Sequence, residues 1–167
     1  MKSEFVHLHN HSDYSLLDGA PTVQTLVNTI DDLGMDSVAL TEHGNMFSVL
    51  PYYKSAKKAG IKPIIGCEVY VAVESRFNKK PRSDGGWGNN HLILLAQNYK
   101  GYQNLMKLVT HGYLEGFYYR PRIDMELIEK YSEGLICLSG CLKGEIPERM
   151  LKGDWEGAKN NALEFSR

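Results

Sequence analysis

Apolar positions along this chain follow two spacings. Short continuous runs at 37–41, 62–73, 91–97 and 134–139 read as strands covered on both faces, and a further strand is expected at 4–8. Between them apolar residues recur three and four apart. Val23, Leu26, Val27 and Ile30 mark a helix over 22–33, with Pro21 near its start and Gly34 after its end. Helices are likewise predicted over 47–59 (closed by Gly60), 102–111, 124–131, 145–151 and 154–165. Strand then helix, with short links, predicts parallel strands joined by right-handed crossovers. An open doubly wound sheet and a β/α barrel both fit, and both place functional groups at the carboxyl ends of strands. A full barrel needs more than 167 residues, and the chain stops inside a helical pattern, so a fragment of a longer protein is expected. Residues 74–90 are polar and glycine-rich and are expected to form a mobile loop.

Composition narrows the class. Hydrophobic residues make up 43% and charged residues 23%, as in an ordinary globular domain spanning 1–167. The net charge of −1 supplies no global field for nucleic acid, so phosphate contacts must come from a local patch or from metal ions. Cys67, Cys137 and Cys141 are too few for a disulfide framework, and no signal segment or membrane-length apolar run occurs. A reduced, cytoplasmic protein with no membrane partner is expected. No glycine-rich phosphate loop, nucleophile elbow or zinc-finger cysteine pair is present.

The chemistry lies at the ends of the strands. His7, His9 and His11 alternate along the first predicted strand and so share one face. Several imidazoles on one face at a strand end suit a metal. Asp18 follows in the next loop. The second predicted strand ends Thr41-Glu42-His43-Gly44-Asn45, the third carries Glu68 among apolar residues, the fourth opens with His91, and the fifth leads to Cys141. This set of imidazole, carboxylate and thiolate suits zinc, manganese or iron, and several ions together suit phosphoester hydrolysis. Plainer readings exist for single members. His43 is also an ordinary residue before a Gly-Asn turn, His91 can simply start a strand, and Cys141 can be a small hydrophobe. Glu68 has no plain reading, because a buried carboxylate needs a partner. His7 is read as a packing residue, and Cys67 and Cys137 as core. The basic stretch Arg76, Lys79, Lys80 and Arg82 reads as a solvated loop that could touch DNA phosphates.

Longer motifs carry a resemblance. His7-Leu8-His9-Asn10-His11-Ser12 with Tyr14 to Gly19, Leu40-Thr41-Glu42-His43-Gly44-Asn45-Met46, Ala59 to Val71, His91 to Asn98, Gly116 to Asp124 and Leu138 to Ile146 resemble the PHP (polymerase and histidinol phosphatase) domain. The match is to the version at the N-terminus of bacterial replicative DNA polymerase III alpha subunits, and it spans the whole chain. A stand-alone histidinol-phosphatase-like enzyme would share the His-x-His start but not the segment 116–124. The resemblance implies a distorted seven-stranded (β/α)7 barrel, C-terminally incomplete in this chain, with two to three divalent metal ions, zinc or manganese. It implies that His9 and His11 hold one ion, that Glu68 bridges to a second completed by His91 and Cys141, and that Asp18 and His43 hold a third. The family pattern also has a late Asp-x-His pair, and none occurs between Cys141 and Arg167. The implied activity is metal-dependent phosphodiester hydrolysis, 3′→5′ exonucleolytic proofreading, with Glu68, His9 and His11 acting through bound metals. The implied partners are DNA, the rest of the polymerase alpha subunit, a proofreading exonuclease subunit and, through the parent protein, the sliding clamp. The competing expectation is a non-catalytic module that stabilises the polymerase and docks a proofreading subunit.

Overall fold

Strand β2 (Lys62–Ala72) organises the molecule. The computed structural model describes residues 4–81 and 88–166, and Arg82 lies outside them. The first half of β2 pairs in parallel with β1 (Ser37–Leu40), from Ser37 opposite Lys62 to Leu40 opposite Ile65. Its second half pairs in parallel with β4 (Arg122–Ile123), Tyr70 opposite Arg122. Between these partners the Glu42–Gly44 turn bonds the strand instead, with Glu68 N–H donating to Glu42 O at 3.0 Å and Gly44 N–H to Glu68 O at 2.8 Å. Along its other edge β2 pairs antiparallel with β3 (Asn89–Ala96), which pairs antiparallel with β5 (Leu135–Leu138).

The sheet is therefore mixed, and the expected all-parallel arrangement does not form. The link from β2 to β3 carries no predicted helix, and a parallel return needs such a crossover element. A strand's apolar run reports burial of both faces but not direction. The expected strand at 4–8 is an extended segment beside β1, held where Ala39 N–H donates to His7 O and Thr41 N–H to Asn10 O, both at 2.9 Å. Strand β4 was not foreseen, because two residues carry no period.

Helices form where the spacing predicts them. In α1 (Val23–Asp32) the residues Val23, Leu26, Val27 and Ile30 are buried, and the Thr22 side chain accepts from Thr25 N–H at the N-cap. With Tyr52 and Ala56 of α2 (Val49–Lys58), they pack on Val38 and Leu40 of β1. α3 (Tyr99–Leu114) starts before the predicted boundary because Asn98 caps it, accepting from Gly101 N–H. α4 (Met125–Tyr131) is capped by Asp124. α5 (Glu145–Leu151) and α6 (Trp155–Phe165) pack on each other and bury little. Among the described residues no helix is long and apolar enough to cross a membrane.

Alternation along β2 places the site. Cys67, Val69 and Val71 face α3 and α4 in a core with Leu92, Leu94, Leu105, Leu108 and Leu127. Glu68 and Tyr70 face the other way, beside Ile93 and His91 of β3 in the register. Below Glu68, Ala39, Ile93 and Leu95 form an apolar floor with Ile64 and Leu138 against them.

Candidate metal centre

Glu68 is 1% exposed and four imidazoles converge on it. Its Oε2 meets His9 Nε2 at 2.5 Å and His11 Nε2 at 3.4 Å. Its Oε1 meets His43 Nδ1 at 3.0 Å and contacts His91 Nδ1. His43 turns its other nitrogen, Nε2, to Asp18 Oδ2 at 2.9 Å. Cys141 Sγ lies 3.9 Å from His91 Nδ1. The rings of His11 and His43 stack with centroids 3.9 Å apart. Two three-residue groups result, His9–His11–Glu68 and His43–Glu68–His91, whose ligand-type atoms lie within 4.8 Å of one another and which share Glu68.

Local structure explains the convergence. His9 and His11 arrive on the extended segment that β1 holds. The Glu42–Gly44 turn swings His43 over Glu68, and Gly44 (φ 63°) makes the turn possible. A Cβ there would lie 2.8 Å from Pro121 Cγ and 2.9 Å from Tyr70 Cε2. His91 comes from β3, opposite Tyr70 in the register.

The electrostatics follow from burial and neighbours. Desolvation alone would push the Glu68 carboxyl up, but His11, His43, His9 and His91 together hold it far below the ordinary carboxylate range. Glu68 raises His43 above the usual 6.5, against a smaller effect of burial, and Asp18 adds to the rise. The set also fits metal ions on its own geometry. Glu68 Oε1 and His43 Nδ1 are buried and neither has a hydrogen-bond partner among the described residues, although they face each other at 3.0 Å. Buried polar atoms left unpaired are rare, and two lone-pair atoms aimed at common space are what a cation satisfies.

The profile of the PHP domain family matches residues 7–167. The chain belongs to the PHP domain family. It is 55% identical over 166 residues to DNA polymerase III subunit alpha of Borreliella burgdorferi, covering 99% of the chain and 14% of that protein. It is 51% identical over 164 residues to DNA polymerase III subunit alpha of Treponema pallidum, covering 98% of the chain and 14% of that relative. The chain thus spans about one seventh of the length of these relatives. Among solved structures, an amidohydrolase from Chromobacterium violaceum is similar with a TM-score of 0.44 and 22% identity, over 63% of this chain and 32% of that one.

This PHP domain brings together all seven residues that the sequence singles out as ligands: His9, His11, Asp18, His43, Glu68, His91 and Cys141. His7 stays out of the cluster, edge-on to Phe5 at 4.8 Å. Cys67 is fully buried and burial pushes its thiol well up; burial pushes Cys137 up to about 11. The basic loop needs a correction. Arg76 is not a free DNA contact, because its guanidinium is buried against Glu115 at 2.6 Å, Asp124 at 2.9 Å and Glu126 at 3.2 Å. Lys79 and Lys80 are exposed.

Sequence reasoning passed over Glu42. It is 1% exposed, and it accepts from Ser12 N–H, Ser12 Oγ and, at 2.5 Å, Ser15 Oγ. Ser15 Oγ in turn accepts from His43 N–H at 3.1 Å. This net ties the loop of His11 to the turn of His43. The available signal was a second carboxylate at a strand end with two serines three apart.

Proposed function

We propose that this PHP domain is the N-terminal part of a DNA polymerase III alpha subunit and hydrolyses phosphodiesters with two to three divalent ions, zinc or manganese. The reading extends to 3′→5′ exonucleolytic removal of nucleotides from DNA in the cytoplasm. The observation that carries it is the buried Glu68 carboxylate shared by two imidazole-rich groups. His9, His11 and Glu68 would hold one ion, Glu68, His91 and Cys141 a second, and Asp18 and His43 a third. When bound, such ions supply a hydroxide at neutral pH and offset the charge that gathers on phosphate oxygens.

The residues of the chain do the positioning. Ionised Glu68 would offset the charge of two cations, and its burial over the apolar floor of Ile93 and Leu95 keeps competing water out. Asp18 Oδ2 lies 2.9 Å from His43 Nε2, so these two atoms are the pair that would hold the third ion. Lys79 and Lys80 are the remaining candidates for the DNA backbone, with Arg82 outside the described residues. DNA, the rest of the alpha subunit, a proofreading exonuclease subunit and the sliding clamp are the proposed partners.

The test joins metal content to hydrolysis. Protein stripped with chelator, reloaded with zinc or manganese and desalted should retain two to three ions and release nucleotides from 3′-labelled DNA. A protein that retains ions but releases nothing would favour the non-catalytic docking module. One that retains none would remove the metal reading altogether.

A further inference from the structure

Among the described residues Arg120 stands apart from the other guanidinium groups. Arg76 meets three carboxylates and Arg149 two, while Arg122 is buried against the carbonyls of Gly116, Arg76 and Asn78. Among the described residues no carboxylate pairs with Arg120. Its guanidinium carbon lies 5.3 Å from the centroid of Tyr70, and its Nη1 donates to the Tyr70 phenol oxygen at 3.2 Å. The Tyr70 ring in turn stands edge-on to His91 at 5.1 Å and nearly parallel to His43 at 6.4 Å. One aromatic ring therefore separates this cation from two imidazoles of the centre. Arg120, Tyr70, His43, His91 and Asp18 line one cleft of about 1010 Å³.

The backbone is bent to put Arg120 there. Tyr118 and Arg120 form an antiparallel bridge with Tyr119 between them at φ 57°. Tyr119 is the only non-glycine in the left-handed region among the described residues. Such a conformation survives where surrounding structure imposes it, and it concentrates at ligand sites. Pro121 follows and packs at the Gly44 turn, which couples this hairpin to His43.

We propose that Arg120, braced on Tyr70, binds a non-bridging phosphate oxygen of the DNA phosphodiester at the metal centre. The proposal rests on the function given above and adds a protein group that holds the substrate. The contact with Tyr70 uses one Nη1–H and leaves the other guanidinium N–H groups for an oxyanion. A cation without a carboxylate keeps its full charge for that anion, which matters where Asp13, Asp18 and Glu148 share the wall of the cleft.

Arg120→Ala, Arg120→Lys and Tyr70→Phe test it. Each is assayed for retained manganese, for inorganic phosphate binding by calorimetry with and without manganese, and for KM and kcat on 3′-labelled oligothymidylate. Arg120→Ala should keep its ions, bind phosphate about tenfold more weakly and raise KM about tenfold, with a smaller change in kcat. Arg120→Lys should fall between the two, and Tyr70→Phe should cost about threefold. Phosphate binding equal to wild type in Arg120→Ala overturns the proposal, as does loss of manganese in parallel with phosphate. A wild-type protein that holds no manganese overturns the hydrolytic reading instead. The metal-free titration then still decides the role of Arg120, since a persisting tenfold ratio supports it and a ratio of one overturns it.

Discussion

His43 Nδ1 and Glu68 Oε1 face each other at 3.0 Å with no hydrogen bond between them, and both are shut off from water. A proton shared along a straight line would satisfy this pair. Their orientation instead directs two buried polar atoms at the same space, where a cation would satisfy both.

Glu68→Gln preserves shape and keeps the backbone bonds to Glu42 and Gly44, but it removes the charge that would balance two ions. Metal retention should fall by at least one ion per chain, and nucleotide release should fall by about 100-fold or more. Elemental analysis with a 3′-labelled DNA assay reads both. Hydrolysis at the wild-type level would show that Glu68 is not the shared ligand.

The metal-free protein should have a particular pH profile. Glu68 is depressed below its usual 4.5, so its stabilisation is full above that pH and is lost as pH falls toward its folded value. His43 is raised above 6.5, so its stabilisation is full below 6.5 and is lost as pH rises through its folded value. With chelator present, the melting temperature should be higher near pH 6 than at pH 8. Added zinc should reverse the order, because protons compete with metal for imidazole and thiolate. Identical ordering with and without zinc would contradict metal binding at these side chains.

Two glycines offer a matched comparison. At Gly44 a Cβ meets both strain and the atoms of Pro121 and Tyr70, whereas at Gly60 (φ 75°) nothing lies within 4 Å. Gly60→Ala should cost about 1 kcal/mol from backbone strain alone. Gly44→Ala should cost about 3 kcal/mol and also weaken metal retention, because the turn that carries His43 must move. Thermal melting and metal content separate these outcomes.

Cys141 offers a soft ligand beside His91. Cys141→Ser should lower zinc retention more than manganese retention, since manganese gains little from sulfur. Competition between the two ions on wild type and variant measures this, and an unchanged ratio would place Cys141 outside the centre.

The basic loop should divide in two. Arg76→Ala should lower the melting temperature by several degrees and leave DNA affinity within about twofold, because its charge is already engaged by Asp124, Glu115 and Glu126. Lys79→Ala with Lys80→Ala should instead leave stability unchanged and weaken DNA binding in low salt. Filter binding and melting curves distinguish the two.

What the sequence determined by itself was local chemistry and local period. The helix over Val23–Asp32 was legible because four apolar residues share one face, Pro21 lies near its start and Gly34 follows its end. His9, His11, Asp18, His43, Glu68, His91 and Cys141 were legible as candidates because ligand-type side chains at strand ends have few other uses. Tertiary structure alone decided how strands run and who meets whom. β3 runs antiparallel to β2, and no apolar run encodes that direction. Arg76 was charged and in a polar loop, so it read as solvated until Asp124, 48 residues away in the chain, was packed against it. Arg120 and Tyr70 lie in quoted motifs that gave neither a role, and they gain meaning only from the bend at Tyr119 that lays one across the other. Periodicity and residue type are properties of neighbours along the chain. Direction, pairing and unpaired charge depend on contacts between distant segments, and these exist only once the chain has closed on itself.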